Sequence, residues 1–440
     1  MNFILLNKLK MLLENKWHTD IYFPKDIINK LNNSINLYLP NLSTDYMQKF
    51  IYLIKSYNLI SYKTYIKSYV NLKKFPLLSS SYINFYNDNF FITDKQKYFI
   101  PKNIKITVID CFKNTELFFS TLLKKSTIFN KINELQLLNT MLMNKLVIIE
   151  IKENQKIKDI LEINSLITNI KKTFSFFSMH IIFIIGKNSY LKVLHNRESI
   201  GYINNKEKKI LNSINSEVIE INLAENSCIE YTNIQNLNNY TYNLSNIIIN
   251  QEKNSIYKLN NISTGSNYKY NNLEIYQNES NSSSNVNWLN IGIKDQCSYD
   301  AIKIVHKFSN GTSNQNFRGI YKEDASSWIK SFIQINSNLK SIITEQKSRS
   351  LLLSDKAYVR IDPFMEIYSK DINCNHAVAI DQLEYKSIFY LQSRGISLIN
   401  AKKIITLNFI KKFIIDISKS NLKNFITSFL KEKINKIFIF

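Results

Sequence analysis

Apolar and polar residues alternate through most of the chain from residue 145 onward. Segments such as KLVIIEI, EVIEINL and YDAIKIVHKF begin about every 11 to 18 residues, and no long helical pattern separates them. A period of two predicts β-strands, because successive side chains of a strand face opposite sides. So many strands without crossover helices exclude a doubly wound α/β fold and leave a sandwich, a barrel or a stacked solenoid.

Asparagine, rather than glycine, supplies the predicted turns. The chain contains only 7 glycines, whereas asparagine-rich stretches at 236–239, 260–261, 271–272 and 278–285 interrupt the apolar segments. Asparagine tolerates the left-handed backbone conformation that tight turns need. Single asparagines at corners favour a β-helix in which Ile, Leu, Val and Phe point inward at alternate positions.

Both ends of the chain show helical spacing instead. Near the N-terminus the residues at this spacing are Tyr46, Phe50, Leu53, Ile54 and Tyr57. Near the C-terminus, the segment QLEYKSIFYLQSRG predicts a helix that ends at Gly395. We therefore predict a mainly helical region at residues 1–144, a β-helix at residues 145–380 and a helical domain at residues 381–440.

Two apolar stripes follow Gly395 in the C-terminal segment. They are formed by Ile404, Leu407, Ile410, Ile414 and Ile417, and by Leu422, Ile426, Phe429, Ile434 and Ile437. The core of a helix bundle explains such stripes most simply. The alternative is that one stripe faces a partner protein.

The charge balance is strongly basic, with 57 basic and 35 acidic residues and a formal net charge of +22. A nucleic-acid-binding protein is therefore one alternative. However, arginine stands at only five positions, and the lysines are scattered without a long run. Since phosphate and base recognition favours the forked arginine side chain, we interpret the lysines as a solvated surface and expect no nucleic-acid partner.

Nothing in the chain predicts export or membrane insertion. The N-terminal segment MNFILLNKLKMLLENKWHTD mixes charges with apolar residues and lacks a small-residue cleavage site. The most apolar window, residues 174–186, is too short to span a bilayer. Cys111, Cys228, Cys297 and Cys374 lie far apart with no CxxC pair, which excludes a disulfide framework or a simple zinc ribbon. We expect a cytoplasmic protein without a membrane partner.

Cys374 and His376 are the closest cysteine and histidine in the sequence. Two positions apart on a strand, they face the same side, and thiolate and imidazole are ligands that iron and zinc accept. The alternative is that Cys374 is a small buried apolar residue and His376 a hydrogen-bonded residue at the end of a strand. His18, His180 and His195 show no comparable constellation.

Several segments, taken together and in order, resemble the SufB/SufD family of iron-sulfur cluster assembly proteins. Residues 304–321 resemble its histidine-containing strand and the F-R/K-G strand that follows, and residues 346–368 resemble its Q-x-x-N-L-L-L-S segment. Residues 137–161 resemble the segment that opens its β-helix. INCNHAVAIDQLEYKSIFYLQSRGIS resembles its C-S-H triplet, Q-L pair and F-Y-L-x-S-R-G-I motif. The resemblance covers approximately residues 135–440.

Within this family the chain is most similar to the SufD branch. The SufB branch carries a cysteine shortly before an L-L-L/I-G-D run, whereas this chain has Ser348 and Arg349 there and no thiol. The C-x-H triplet matches the SufD branch. The chain departs from the family pattern at Asn375, which replaces serine, and at Ala377 and Asp381, which replace glycines.

The resemblance implies a right-handed parallel β-helix flanked by N-terminal and C-terminal α-helical regions. It implies a non-catalytic scaffold that pairs with SufB through the β-helix and docks the SufC ATPase through its C-terminal helices. The chain itself has no GxxxxGK[ST] phosphate loop, so ATP is expected to bind elsewhere. No cofactor is expected to be bound permanently, although a transient iron-sulfur cluster is expected at the interface with SufB.

The resemblance also implies roles for individual residues. His376, and less directly Cys374, are expected to take part in cluster assembly, and His306 is expected to support packing of the β-helix. The residues expected to dock the ATPase are Phe389, Tyr390, Arg394 and Gly395.

A polysaccharide-active enzyme is the other alternative, because some β-helices cleave polysaccharides. Such sites need clustered carboxylates, often with calcium. The predicted strands carry isolated carboxylates such as Asp300 and Glu366, with no D-x-D or D-D pair. We therefore expect a scaffold rather than an enzyme.

Overall fold

The computed structural model describes a mainly β chain that forms a parallel solenoid of about seven turns, which confirms the predicted fold class. All elements given below belong to one compact unit, residues 77–131 and 139–440. The described residues are 82–86, 89–91, 103–110, 145–169, 175–201, 213–415 and 420–438, with isolated positions at 121–143 and residue 417.

Two sheets form the walls of the solenoid. The first sheet consists of β1 (Tyr82–Tyr86), β2 (Asn89–Phe91), β5 (Lys156–Asn169), β7 (Tyr190–Gly201), β9 (Cys228–Leu237), β11 (Ile256–Gly265), β13 (Ser283–Gly292), β15 (Thr312–Tyr321), β17 (Lys340–Leu352) and β19 (Asp371–Gln382). The second consists of β3 (Ile104–Asp110), β4 (Lys145–Ile151), β6 (Ser175–Ile185), β8 (Ser213–Leu223), β10 (Thr241–Gln251), β12 (Tyr268–Gln277), β14 (Cys297–His306), β16 (Ser326–Ile335) and β18 (Tyr358–Ile367).

Successive strands from β4 onward alternate between the two sheets, so each turn adds one strand to each sheet. Neighbours within a sheet are parallel, as in the pairing of β11 with both β9 and β13. At the N-terminal end, β2 runs antiparallel to β1 and β3 runs antiparallel to β4. The repeat length is visible in stacked side chains: Asn233 donates to Asn261, 28 residues later, at 2.6 Å.

The interior of the solenoid is mainly aliphatic, as the alternating pattern predicts. Alternate residues of each strand point inward, and Ile219, Ile221, Ile249, Leu273 and Ile304 are among those buried there. Burial of such side chains contributes about 25 cal/mol for each Å² of apolar surface removed from water. This aliphatic interior stabilises the stack of turns.

A ladder of asparagines lines one corner of the solenoid. Seven asparagines have φ between 54° and 62°, and they are Asn154, Asn188, Asn226, Asn254, Asn281, Asn310 and Asn338. Amide hydrogen bonds of 2.8–3.0 Å link the first five of them from turn to turn. Asparagine therefore takes the place of glycine, as predicted. The predicted turns at 260–261 and 271–272 are wrong, however, because these residues lie within β11 and β12.

Three helices follow the last strand: α1 (Tyr385–Ser393), α2 (Leu398–Ile415) and α3 (Ser420–Ile437). Buried residues of α2 and α3, including Ile410 and Ile426, share one apolar cluster with Ile234 and Ile262 on the outer face of the first sheet. The two stripes therefore pack mainly on the solenoid, although Ile404 is exposed. In the described part of the chain, no helix combines the length and the hydropathy of a transmembrane segment.

Three strands lie within the range predicted to be mainly helical. These strands, β1 to β3, contain alternating or aromatic segments such as YINFY and IKITVID. The segments are too short for their period of two to be recognised in the sequence. The predicted helix around Tyr46–Tyr57 lies outside the described residues. At the other boundary, β19 continues to Gln382, two residues beyond the predicted end of the β-helix.

The asparagine ladder is expected to contribute to the stability of the solenoid. We expect Asn254→Ala to lower the free energy of unfolding by about 1–3 kcal/mol, because alanine resists positive φ and removes the bonds to Asn226 and Asn281. Asn254→Gly should cost less, since glycine accepts this backbone conformation. Denaturant unfolding followed by circular dichroism measures the difference, with Lys253→Ala as the control. Equal losses in the alanine and glycine variants would contradict the backbone part of this explanation.

Candidate functional site

The C-terminal end of the solenoid is open. Strands β18 and β19 are the outermost members of their sheets, and no described strand pairs with their free edges. Side chains that a further turn would cover are exposed there, among them Tyr358, Phe364, Ile367, Val378 and Ile380. Unpaired strand edges and contiguous apolar surface are typical of sites where another chain binds.

Cys374 and His376 lie on β19 at this open end. Their register partners on β17 are Thr344 and Gln346, which are both buried. The Cys374 Sγ atom donates a hydrogen bond to Met365 Sδ, on β18 of the opposite sheet, at 3.2 Å. Cys374 therefore faces the space between the sheets, and His376, two residues later, shares that face. His376 is exposed because no further turn covers it.

The Cys374 thiol is protonated at neutral pH. Partial burial raises its pKa above the ordinary value of a cysteine, because desolvation disfavours the thiolate. A metal ion or cluster that binds the sulfur has to displace this proton. Among the described residues no group of three or more His, Cys, Asp or Glu side chains is placed to hold a metal ion. The described part of the chain thus offers Cys374 and His376 as an incomplete ligand set.

His306 lies inside the solenoid at the end of β14, two strands before the edge strand β18 of the second sheet. Its Nε2 atom is 2.9 Å from Ser313 Oγ, and Ser313 lies 2.7 Å from Thr344 Oγ1. Burial lowers the pKa of His306 to about 4, so its imidazole is neutral at physiological pH. A Cβ atom added at Gly311 would lie 2.7 Å from His306 Nδ1, so the glycine leaves room for the ring. These contacts fit a packing role.

The sequence did not reveal the partners of two other histidines. His180 Nε2 lies 2.8 Å from Glu220 Oε1, and His195 Nδ1 lies 2.8 Å from the Tyr231 hydroxyl and 3.5 Å from Glu217 Oε1. Burial lowers the pKa of His195 well below its ordinary value. Both groups lie away from the open end, and each joins residues more than 20 positions apart, which a local motif search does not connect.

The predicted docking residues lie together on α1 and at its end. Phe389 and Tyr390 are exposed, and the Arg394 guanidinium lies 5.1 Å from the centre of the Tyr390 ring. Gly395 has φ of 82°, and its N–H donates to Gln392 O at 2.9 Å, so the helix ends where the sequence predicts. Exposed Leu398, Ile399 and Ile404 at the start of α2 add further apolar residues to this part of the chain.

Two residues near Cys374 were missed by the sequence analysis as site residues. Met365 contacts Cys374, and Gln346 is buried with neither its Nε2 nor its Oε1 atom hydrogen-bonded. Their inward positions follow from the alternation along β18 and β17. The contact of Met365 with Cys374 depends on how β18 and β19 face each other within the last turn, and the pairing of Gln346 with His376 depends on the register between turns. The sequence alone gave neither.

Comparison with known proteins agrees with this geometry. Residues 166–409, more than half of the chain, match the family model described as SUF system FeS cluster assembly, SufBD core domain. The chain is 36% identical over 77 residues to the chloroplastic protein ABCI7 of Arabidopsis thaliana, a match that covers 18% of this chain and 16% of that protein.

Several relatives carry the name iron-sulfur cluster assembly protein SufD. The Bacillus subtilis protein is 27% identical over 116 residues, which are 26% of each chain. The Plasmodium falciparum protein is 35% identical over 109 residues, which are 24% of this chain and 8% of the relative. Each match thus spans about a quarter or less of the relative's length. The parallel solenoid, and the match of the family model to more than half of the chain, together show that the chain belongs to the SufBD family and is SufD-like.

Proposed function

We propose that this chain is the non-catalytic, SufD-like scaffold subunit of a SUF iron-sulfur cluster assembly complex. It pairs with SufB through the open end of its solenoid and docks the SufC ATPase through its C-terminal helices. The observation that carries this proposal is the unpaired edge of β18 and β19, flanked by exposed apolar residues and by Cys374 and His376. Family membership supports the setting in iron-sulfur cluster assembly.

Pairing at the open end follows from the energetics of a strand edge. Each edge presents backbone N–H and C=O groups whose hydrogen bonds another strand can satisfy. Burial of the aromatic and aliphatic side chains beside the edges adds the apolar contribution that a stable interface requires. SufB strands that extend the two sheets, one at each edge, would provide both contributions.

The pairing explains why the ligand set of this chain is incomplete. Cys374 and His376 supply one soft and one borderline donor, and a partner subunit adds the donors that a cluster needs. The cluster is the cargo of the complex and is passed on. A site divided between two chains assembles only when both are present, which fits a scaffold whose partner is moved by ATP hydrolysis.

The exposed aromatic residues of α1 form the proposed docking surface for the ATPase. Tyr385 and Phe389 stack with their ring centres 6.2 Å apart, and Tyr390 stands next to Phe389 under the Arg394 guanidinium. Aromatic residues and arginine are the side chains that contribute most to protein interfaces. Helix α2, which packs with α3 on the first sheet, also contacts α1 and supports this surface.

The two alternative functions are less well supported. A polysaccharide-cleaving enzyme needs two carboxyl groups in an open cleft, but Asp300 is fully buried and hydrogen-bonded to Asn271 and Asn290. A nucleic-acid-binding role would rest on the net charge of +22 alone. Affinity for nucleic acid would fall steeply as the salt concentration rises, whereas an apolar, strand-paired protein interface tolerates salt.

The pairing surface is tested by a charge at the open end. We expect Val378→Lys to reduce copurification of SufB with the tagged chain by about tenfold or more, because the interface would bury an unpaired charge. Ile256→Lys, a similarly exposed position in β11 in the middle of the solenoid, is the matched control. Equal recovery of SufB with the two variants would place the interface elsewhere.

The docking surface is tested separately on α1. We expect the double variant Phe389→Ala, Tyr390→Ala to weaken binding of SufC by about tenfold or more while SufB binding is retained, because two exposed aromatic anchors are lost. Calorimetric titration with SufC measures the change. Tyr240→Ala removes an exposed aromatic residue at a turn of the solenoid and serves as the control. Unchanged SufC affinity in the double variant would refute this docking surface.

A further inference from the structure

A thiol and a thioether touch at the open end of the solenoid. The 3.2 Å contact between Cys374 Sγ and Met365 Sδ joins the last strands of the two sheets. Met365 is half-buried and packs against the interior cluster of Ile333, Ile335 and Ile342, so its side chain is held at this place. Neither the family match nor the proposed cluster site assigns a role to the methionine.

A third donor and an unpaired amide lie beside this pair. His376 follows Cys374 on the same face of β19 and is exposed. Its register partner Gln346 is 2% exposed, and both polar atoms of its side-chain amide lack a hydrogen bond. Gln346 faces the interior like its own register partner Gln315, which accepts a bond from Ser331 of the opposite sheet. The buried amide therefore faces the interior on β17, the strand that pairs with β19 and its Cys374 and His376.

The geometry points to a copper(I) site made by Met365 Sδ and Cys374 Sγ, with the His376 imidazole as a third donor. Thiolate and thioether are soft ligands that favour monovalent copper, and a thioether contributes little to binding of harder ions. Structural zinc sites require four N, S or O ligands, and no third His, Cys, Asp or Glu joins Cys374 and His376 among the described residues. Two sulfur donors, with or without the borderline imidazole, are a sufficient set for copper(I).

Binding is a simple exchange of a proton for a metal ion. The Cys374 thiol releases its proton to water, the sulfur bonds to copper(I), and the Met365 thioether adds as a neutral ligand without any change in oxidation state. The hydrogen bond from Sγ to Sδ is replaced by the metal between the two sulfurs. Since a proton is released, the apparent affinity should rise with pH until the thiol itself ionises.

This site uses residues of the proposed cluster interface, but it is complete without a partner chain. It can therefore exist even if the chain has no role in cluster assembly, and a cluster role can exist without it. If both are correct, copper(I) at Met365 and Cys374 blocks the face that SufB would cover. The two proposals are distinguished because copper binding is measured on this chain alone.

The test uses the full chain with Cys111, Cys228 and Cys297 replaced by serine, so that Cys374 is the single thiol. Copper(I) is titrated without oxygen against bathocuproine disulfonate, a coloured copper(I) chelator. We expect one tightly bound copper(I) for each chain. Met365→Leu, which keeps the volume and removes the sulfur, should weaken binding by about tenfold or more, and Cys374→Ser should abolish it.

Met179→Leu is the matched control, because Met179 is also inside the solenoid but lies far along the chain from any copper donor of the site. It should leave the copper affinity unchanged. X-ray absorption at the copper edge of the parent chain provides a second measurement that does not depend on the variants. Two sulfur atoms bonded to the copper ion would support the site. A single sulfur neighbour, or equal affinities of the parent and Met365→Leu chains, would overturn the proposal.

Discussion

The structure depends on the backbone pairing of each turn with the next. From β6 to β17 every strand obtains its backbone hydrogen bonds from the strands one turn before and one turn after it. Within the described residues the series stops at β18 and β19, whose outer edges have no partner strand. In a repeat fold, strand pairing between turns leaves the last turn with backbone N–H and C=O groups that have no partner on one side. These groups form a surface to which another chain can bind.

Polar groups inside the solenoid fix the alignment of successive turns. Lys269 Nζ donates to Asn290 Oδ1 at 2.5 Å, and Asn290 and Asn271 each donate to Asp300 at 2.7 Å. Burial lowers the pKa of Lys269 to about 8 and raises that of Asp300. A shift of one turn by a single residue would leave these buried groups without partners, which is costly in an apolar interior.

The sequence predicted the repeated strands, the use of asparagine at corners and the end of α1 at Gly395, because these follow from local periodicity and backbone preference. It also placed Cys374 and His376 on one face of a strand, since alternation is a local property. It did not predict the contact of Cys374 with Met365 or the partners of His180, because these depend on the length of each turn. The three short strands between Tyr82 and Asp110 were not predicted, because their period of two extends over too few residues.

We propose that the open end of this chain supplies part of a divided iron-sulfur site. The most direct measurement is the iron content of the complex purified without oxygen after coexpression of the tagged chain with SufB and SufC. Wild type is compared with His376→Ala and with Asn375→Ala, a neighbouring exposed residue on the opposite face of β19. We expect all three chains to form the complex and only His376→Ala to lose most of its bound iron. An intact His376→Ala complex with as much iron as wild type would contradict it.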